Sequence, residues 1–146
     1  MIRNRWKPGP AAASGPVVVS ATRFLYRRWR SMPRVWLNGW RLRRAWGGRQ
    51  GSIGLFTAVE RGRAVTYSLS AWASEEDLRR FLRAPEHVEL MREFRGRLAE
   101  STSVVWEMDY FTPEAAWREG LARLGAAPRR DRGGEPGKSG NPVPHL

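Results

Sequence analysis

The chain has 146 residues, eight tryptophans, no cysteine, a formal net charge of +12 and a mean hydropathy of −0.57. This length suits one domain plus tails. The lack of cysteine excludes a disulfide framework, a thiolate metal site and a cysteine nucleophile, and it accords with a reducing, cytoplasmic setting. No run of about 18 apolar residues is present, so no membrane-spanning helix is expected.

The charge is unevenly placed. Residues 1–59 carry 12 Lys+Arg and no acidic residue, whereas residues 60–146 carry 14 of each sign. Such asymmetry can mark a nucleic-acid or anionic-membrane surface. Arginine outnumbers lysine 24 to 2, a bias that composition alone could produce.

The first 15 residues are rich in Pro, Gly, Ala and Ser and read as a disordered leader, with Pro8, Pro10 and Pro16 interrupting any signal-like apolar segment. Val17 to Phe24 opens with β-branched residues and reads as a strand. Ser31 can cap a helix whose first turn takes Pro33. That helix runs from about Met32 to Trp46 and stops at Gly47-Gly48. Ile53–Val59 and Ala64–Trp72 read as a hairpin joined at Arg61-Gly62-Arg63. Ser74 with Asp77 forms a capping box, and Glu75 and Glu76 suit the positive end of the following helix. Pro85 breaks that helix. A second segment carries Leu90, Met91, Phe94 and Leu98, Ser103–Phe111 reads as a fourth strand, and Pro113 starts a last helix with Ala116, Trp117, Leu121 and Leu124 inward.

The folded domain thus spans 16–125, and residues 126–146, with His145, read as a disordered tail. The order β-α-β-β-α-β with an extra C-terminal helix is an α+β, ferredoxin-like plan. In the third strand Val65, Tyr67, Leu69 and Ala71 alternate with Thr66, Ser68, Ser70 and Trp72. The first set suits a helix-packed core, and the second suits a polar surface, a pocket or an interface. In the fourth strand apolar residues fall on both faces, so a homodimer packing sheet on sheet is expected.

Four features carry candidate chemistry. His87 has Leu90, Met91 and Phe94 at i+3, i+4 and i+7 and so lies on an apolar stripe. It is either a general acid or base or a structural histidine bonded to a backbone carbonyl. Arg43 falls inside the arc of Trp36, Trp40, Leu42 and Trp46, where it either meets an anionic ligand at a pocket mouth or packs its stem and reaches solvent. The mixture of tryptophan and arginine between Arg27 and Trp46 reads as a core helix with a solvated basic back, or as a lipid- or base-contacting face. Trp72, Met91 and Trp106 are candidate pocket walls. A single histidine within the domain excludes a two-histidine metal site, and no metal is expected. Dinucleotide, phosphate-loop and serine-hydrolase motifs are absent.

The strand end Ala71-Trp72, the acidic helix start Glu75-Glu76-Asp77, then Phe81, His87, Met91 and Arg92 or Arg95 resemble the dimeric α/β-barrel superfamily that includes antibiotic-biosynthesis monooxygenases. Within it, the resemblance is strongest to spheroidene-monooxygenase-like proteins. Thr22-Arg23, Met32-Pro33 and the helix from Trp36 to Trp46 extend it over about residues 17–111. The chain departs from that pattern at Val65, Thr66 and Tyr67, where these proteins often carry a larger aromatic cluster. The resemblance implies a dimeric α/β barrel. It also implies a monooxygenase-like enzyme acting on a small apolar or aromatic metabolite, with no cofactor, or with haem held axially by His87. The alternatives are a non-catalytic dimeric binding module of the same fold, and a peripheral anionic-membrane or nucleic-acid binder that uses the basic N-terminal half.

Overall fold

A computed structural model describes residues 1–60 and 62–127 and the backbone of Arg130–Asp131. Arg61 and most of the expected tail, His145 included, lie outside the described residues. The elements are β1 (Ile2–Arg3), β2 (Lys7–Pro8), β3 (Val17–Tyr26), α1 (Met32–Ala45), β4 (Ser52–Val59), β5 (Val65–Trp72), α2 (Glu75–Arg83), α3 (Pro85–Arg95), β6 (Leu98–Met108), α4 (Pro113–Ala126) and β7 (Arg130–Asp131).

Four antiparallel strands in the order β4-β5-β3-β6 form the middle of the sheet, which is the ferredoxin-like arrangement. The sheet is open within one chain, with β1 and β2 on the outer edge of β4 and β7 on that of β6. Local chemistry sets most boundaries. The Asp77 amide donates to Ser74 Oγ at 3.1 Å, and Ser74 Oγ donates to Asp77 Oδ2 at 2.8 Å, so the expected capping box forms. Pro85 separates α2 from α3, and Pro113 opens α4, where Thr112 Oγ1 accepts from the Ala115 amide. Gly62 takes φ of +75° in the hairpin connection, a conformation that glycine reaches without a Cβ penalty.

Three expectations change. Ser31 does not cap α1, because a 3-10 turn over Trp29–Ser31 feeds the helix directly and holds Ser31 in helical conformation. β3 and β6 are longer than expected and reach Tyr26 and Leu98, which pair with each other. The leader is part of the sheet: Ile2 and Arg3 pair with Val59 and Ala58, and Lys7 and Pro8 pair with Leu55 and Gly54. A Cβ on Gly54 would fall on the Trp6 indole, so only glycine lets this strap lie flat. Trp6 packs edge-on to Phe56 at 4.8 Å, and Arg3 bonds Glu114 of α4 at 2.6 Å.

Both sheet faces are covered. Val17, Val19, Ala21, Val65, Leu69, Ala71 and Trp106 form the core beneath α4. On the other face, Phe24, Tyr26, Met32, Val35 and Phe94 form one cluster with α1 and α3. Trp46, Leu55, Trp72, Leu78 and Phe81 form another with α2. The apolar set of β5 therefore meets the C-terminal helix, and the hydroxyl set meets α1. Arg23, buried on the central strand, donates to Tyr67 Oη and pairs with Glu100 at 3.6 Å, so its charge is compensated inside the fold.

Gly54→Val is expected to overpack the strap and cost about 1–3 kcal/mol, read as a lower urea midpoint with faster tryptic cleavage at Arg3 and Arg5. An unchanged midpoint with unchanged cleavage would contradict the seating of the strap on β4.

Candidate functional site

The hydroxyl-bearing face of β4 and β5 presents Thr57, Thr66 and Ser68 to α1, and these side chains are too small to fill the space beneath it. A cavity of about 360 Å³ results. Its floor is Thr57, Thr66, Ser68, Phe24 and Tyr26, and its roof is Val35, Gly39, Leu42 and Arg43 of α1. Leu90, Met91 and Phe94 of α3 close one end, and Ile2 and Asn4 of the strap border another. Trp36 and Trp40, each about half exposed at 50% and 55%, stand at the rim.

Arg43 is the charged group of this cavity. Its Nη2 donates to the Arg5 carbonyl at 2.8 Å, which fixes the guanidinium against the strap. Its Nη1 is buried without a hydrogen-bond partner. Burial lowers its pKa from the usual arginine range, yet a guanidinium stays charged at neutral pH. A half-buried cation with an unused donor, in an apolar wall, is suited to an anionic oxygen. Tyr26 is the second polar group. Thr66 Oγ1 donates to its oxygen at 3.4 Å, and burial pushes its phenol up to about 12. Tyr26 therefore stays protonated at neutral pH and can donate a hydrogen bond, but it is a poor base. Asn4 Nδ2 donates to Thr57 Oγ1 at 2.8 Å, tying the strap to the floor.

Of the five candidate residues, Arg43 and Met91 meet at this cavity, and the other three lie elsewhere. His87 is buried at the α2–α3 joint. Its Nδ1 donates to the Leu82 carbonyl at 3.2 Å, and its ring packs 4.9 Å from Phe81. It satisfies a carbonyl at the end of α2, which is the structural alternative for this residue. Trp72 donates to Ser70 Oγ at 2.8 Å, stacks on Phe81 at 5.1 Å and meets Trp46 edge-on at 5.4 Å. It borders a smaller hollow of about 190 Å³ with Arg49, Asp77 and Arg80. Trp106 is on the opposite face, in the core under α4 with the Arg123 guanidinium 5.2 Å from its ring. All three were expected near one pocket. The reason for the difference is that α4 occupies the apolar face, while Trp72 and His87 both pack on Phe81 of α2, apart from the cavity.

These residues do not fit axial haem ligation. The His87 imidazole is enclosed between Phe81 and a helix carbonyl and does not border the cavity. Among the described residues, no group of three or more His, Cys, Asp or Glu side chains could hold a metal ion, and no helix is long and apolar enough to cross a membrane.

The sequence reading missed Tyr26, Asn4 and Asn38 as cavity residues. Tyr26 lay beyond the expected strand end and Asn4 within the presumed leader. The signal that could have found the cavity was the small hydroxyl set on β5, opposite a helix that carries an arginine in its apolar arc.

The raised phenol pKa of Tyr26 predicts a pH effect. The folded state holds the proton more tightly than the unfolded chain, so the contribution is complete below about pH 10 and is lost as pH rises through about 12. Tyr26→Phe is expected to lose less stability than the parent between about pH 10 and 12 in urea titrations, since Tyr67, also raised by burial, titrates in both proteins. Identical slopes would contradict this.

No protein-family model and no curated protein matches the chain. Solved structures do. The provisionally named antibiotic biosynthesis monooxygenase from Nitrosomonas europaea superposes with a TM-score of 0.58 at 10% identity, covering 70% of this chain and 99% of that one. SnoaB, a cofactor-independent oxygenase from Streptomyces nogalater, gives 0.51 at 13% identity, covering 68% and 99%. A dimeric ferredoxin-like protein of unknown function from Thermobifida fusca gives 0.54 at 12% identity, covering 64% and 92%. At such identities the likeness is one of fold: the chain has the ferredoxin-like fold seen in antibiotic-biosynthesis-monooxygenase-like proteins.

Proposed function

We propose that the cavity between α1 and the sheet is the substrate site of a monooxygenase-like enzyme acting on a small apolar or aromatic molecule that carries one acidic oxygen. The observation that carries this reading is the apolar cavity with the Arg43 guanidinium in its wall. Its aromatic walls take a flat ring system, and its cation favours the ionised form of a phenol or enol. A substrate whose CH₂ lies between two aryl rings and is conjugated through them to a ketone loses a proton to give such a form, with the charge on the ketone oxygen. Reaction of that anion with dioxygen balances without a reductant: the CH₂ and O₂ become C=O and water. Arg43 would hold the anionic oxygen, Tyr26 would donate to it, and Met91 and Phe94 would pack against the rings.

Two copies are proposed to pair. The open sheet needs a second chain to close an α/β barrel, and the dimeric fold neighbour supports the reading. One observation favours the non-catalytic alternative: no carboxylate or imidazole lines the cavity, so the protein itself brings no strong base to the substrate.

The test is oxygen uptake with an anthrone, whose CH₂ lies between two aryl rings. The purified chain is expected to consume one O₂ per anthrone above the spontaneous rate. Arg43→Gln is expected to lower kcat/KM about tenfold or more, equivalent to about 1.4 kcal/mol of transition-state binding. Ser68→Leu, which fills the floor, should abolish turnover while the fold persists. Tight anthrone binding without uptake would replace the enzyme with a binding module.

A further inference from the structure

The outer face of α1 is not explained by the cavity. Trp36, Leu37 and Trp40 are exposed there at 50%, 46% and 55%, on a helix whose inner side is anchored by buried Met32 and Val35. At about 100° per residue, Trp36, Trp40 and Leu37 fall within one arc, and Arg41 and Arg44 fall within or beside it. The Arg44 guanidinium lies 5.1 Å from the Trp40 ring centroid, and Arg34 pairs with Glu93 at 2.6 Å. No acidic residue occurs in the sequence before Glu60. Exposed indoles, an aliphatic side chain and arginine heads mixed on one helix face match the interface of an anionic bilayer. There indoles sit at headgroup depth and arginines meet phosphates.

We propose that the outer face of α1 attaches this protein to an anionic lipid surface, seated by Trp36, Leu37 and Trp40 and held by Arg41 and Arg44. This surface goes beyond the oxygenation reading and does not depend on it. Other occupants match less well. A second copy would bring the arginines of both chains together, and Glu93 beside them is already paired with Arg34. Residues 128–146 are themselves net basic. Leu37, exposed beside the indoles, has neither a ring for a base nor a polar group for a phosphate, whereas acyl chains take it. The same contact gives the cavity a route to the membrane, because Trp36 and Trp40 also form its rim. An apolar ligand dissolved in lipid would then enter without crossing water.

The test is sedimentation of the full chain with vesicles of phosphatidylcholine alone, or with phosphatidylglycerol at about 30 mol%, at about 0.15 M and 0.5 M salt. Binding to the anionic vesicles is expected to be about tenfold or more stronger, to weaken in high salt, and to shift tryptophan emission to the blue. Arg41→Glu with Arg44→Glu should lower it about tenfold or more, and Arg41→Lys with Arg44→Lys should retain it. Leu37→Ser should weaken binding about threefold at an unchanged melting temperature. Equal binding to neutral vesicles, no vesicle binding, or an unaffected charge-reversed variant would overturn the proposal. So would tighter binding to an oligonucleotide than to vesicles, or self-association lost in Leu37→Ser. Anthrone binding in detergent-free buffer, measured in parallel, reports on the cavity alone, so failure of one reading is separable from failure of the other.

Discussion

The size of the side chains beneath α1 is the constraint on which the site depends. A helix packs about 10 Å from a sheet when bulky apolar residues interdigitate between them. Here the sheet offers Thr57, Thr66 and Ser68, while the bulky partners on the same strands, Phe56, Val65 and Leu69, belong to the core on the opposite face. Strand alternation therefore sorts volume as well as polarity. α4 takes the face with the bulk and closes it. α1 takes the face with the hydroxyls and leaves a space held open by Phe24, Tyr26 and Phe94 at its margins.

Electrostatics follow from that geometry. α1 carries arginines but no acid, and the one that turns inward, Arg43, needs partners in a dry wall. The strap supplies one, the Arg5 carbonyl, and leaves Nη1 for an occupant. The N-terminal segment thus does two jobs at once. It covers the outer edge of β4, a place where unpaired backbone groups would otherwise invite foreign strands, and it builds one border of the cavity through Ile2 and Asn4. Its attachment rests on Trp6 lying over Gly54 and on the Arg3–Glu114 pair.

The parts of this fold set by neighbours in sequence were readable from it. Ser74 and Asp77, Pro85, Pro113 and the Gly62 turn act within four residues of themselves, and each stands where expected. The order of elements along the chain and the ferredoxin-like plan followed from the spacing of those elements. What escaped depends on distant partners. Two-residue strands have no periodicity, so nothing in Ile2–Arg3 or Lys7–Pro8 announces pairing with β4. The apolar stripe around His87 places it inside, but being inside does not distinguish a cavity wall from a packed joint, and Trp72 is buried although its strand set suited a surface, a pocket or an interface. Which sheet face receives α1 was also undetermined, because an apolar strand face accepts any helix, and α4 is the one that takes it. Arg43 was found because a charge within an apolar arc is anomalous whatever lies opposite.

The most direct test of the account is to locate a small anionic aromatic probe in the crystal. A bromonaphthol serves, since its bromine is found by anomalous scattering independently of the surrounding density. The account predicts a bromine peak between α1 and the strand face of Thr57, Thr66 and Ser68, with the naphtholate oxygen on Arg43. A peak in the hollow beside Trp72 and Arg80, or a space beneath α1 closed by Trp36 and Trp40, would contradict it.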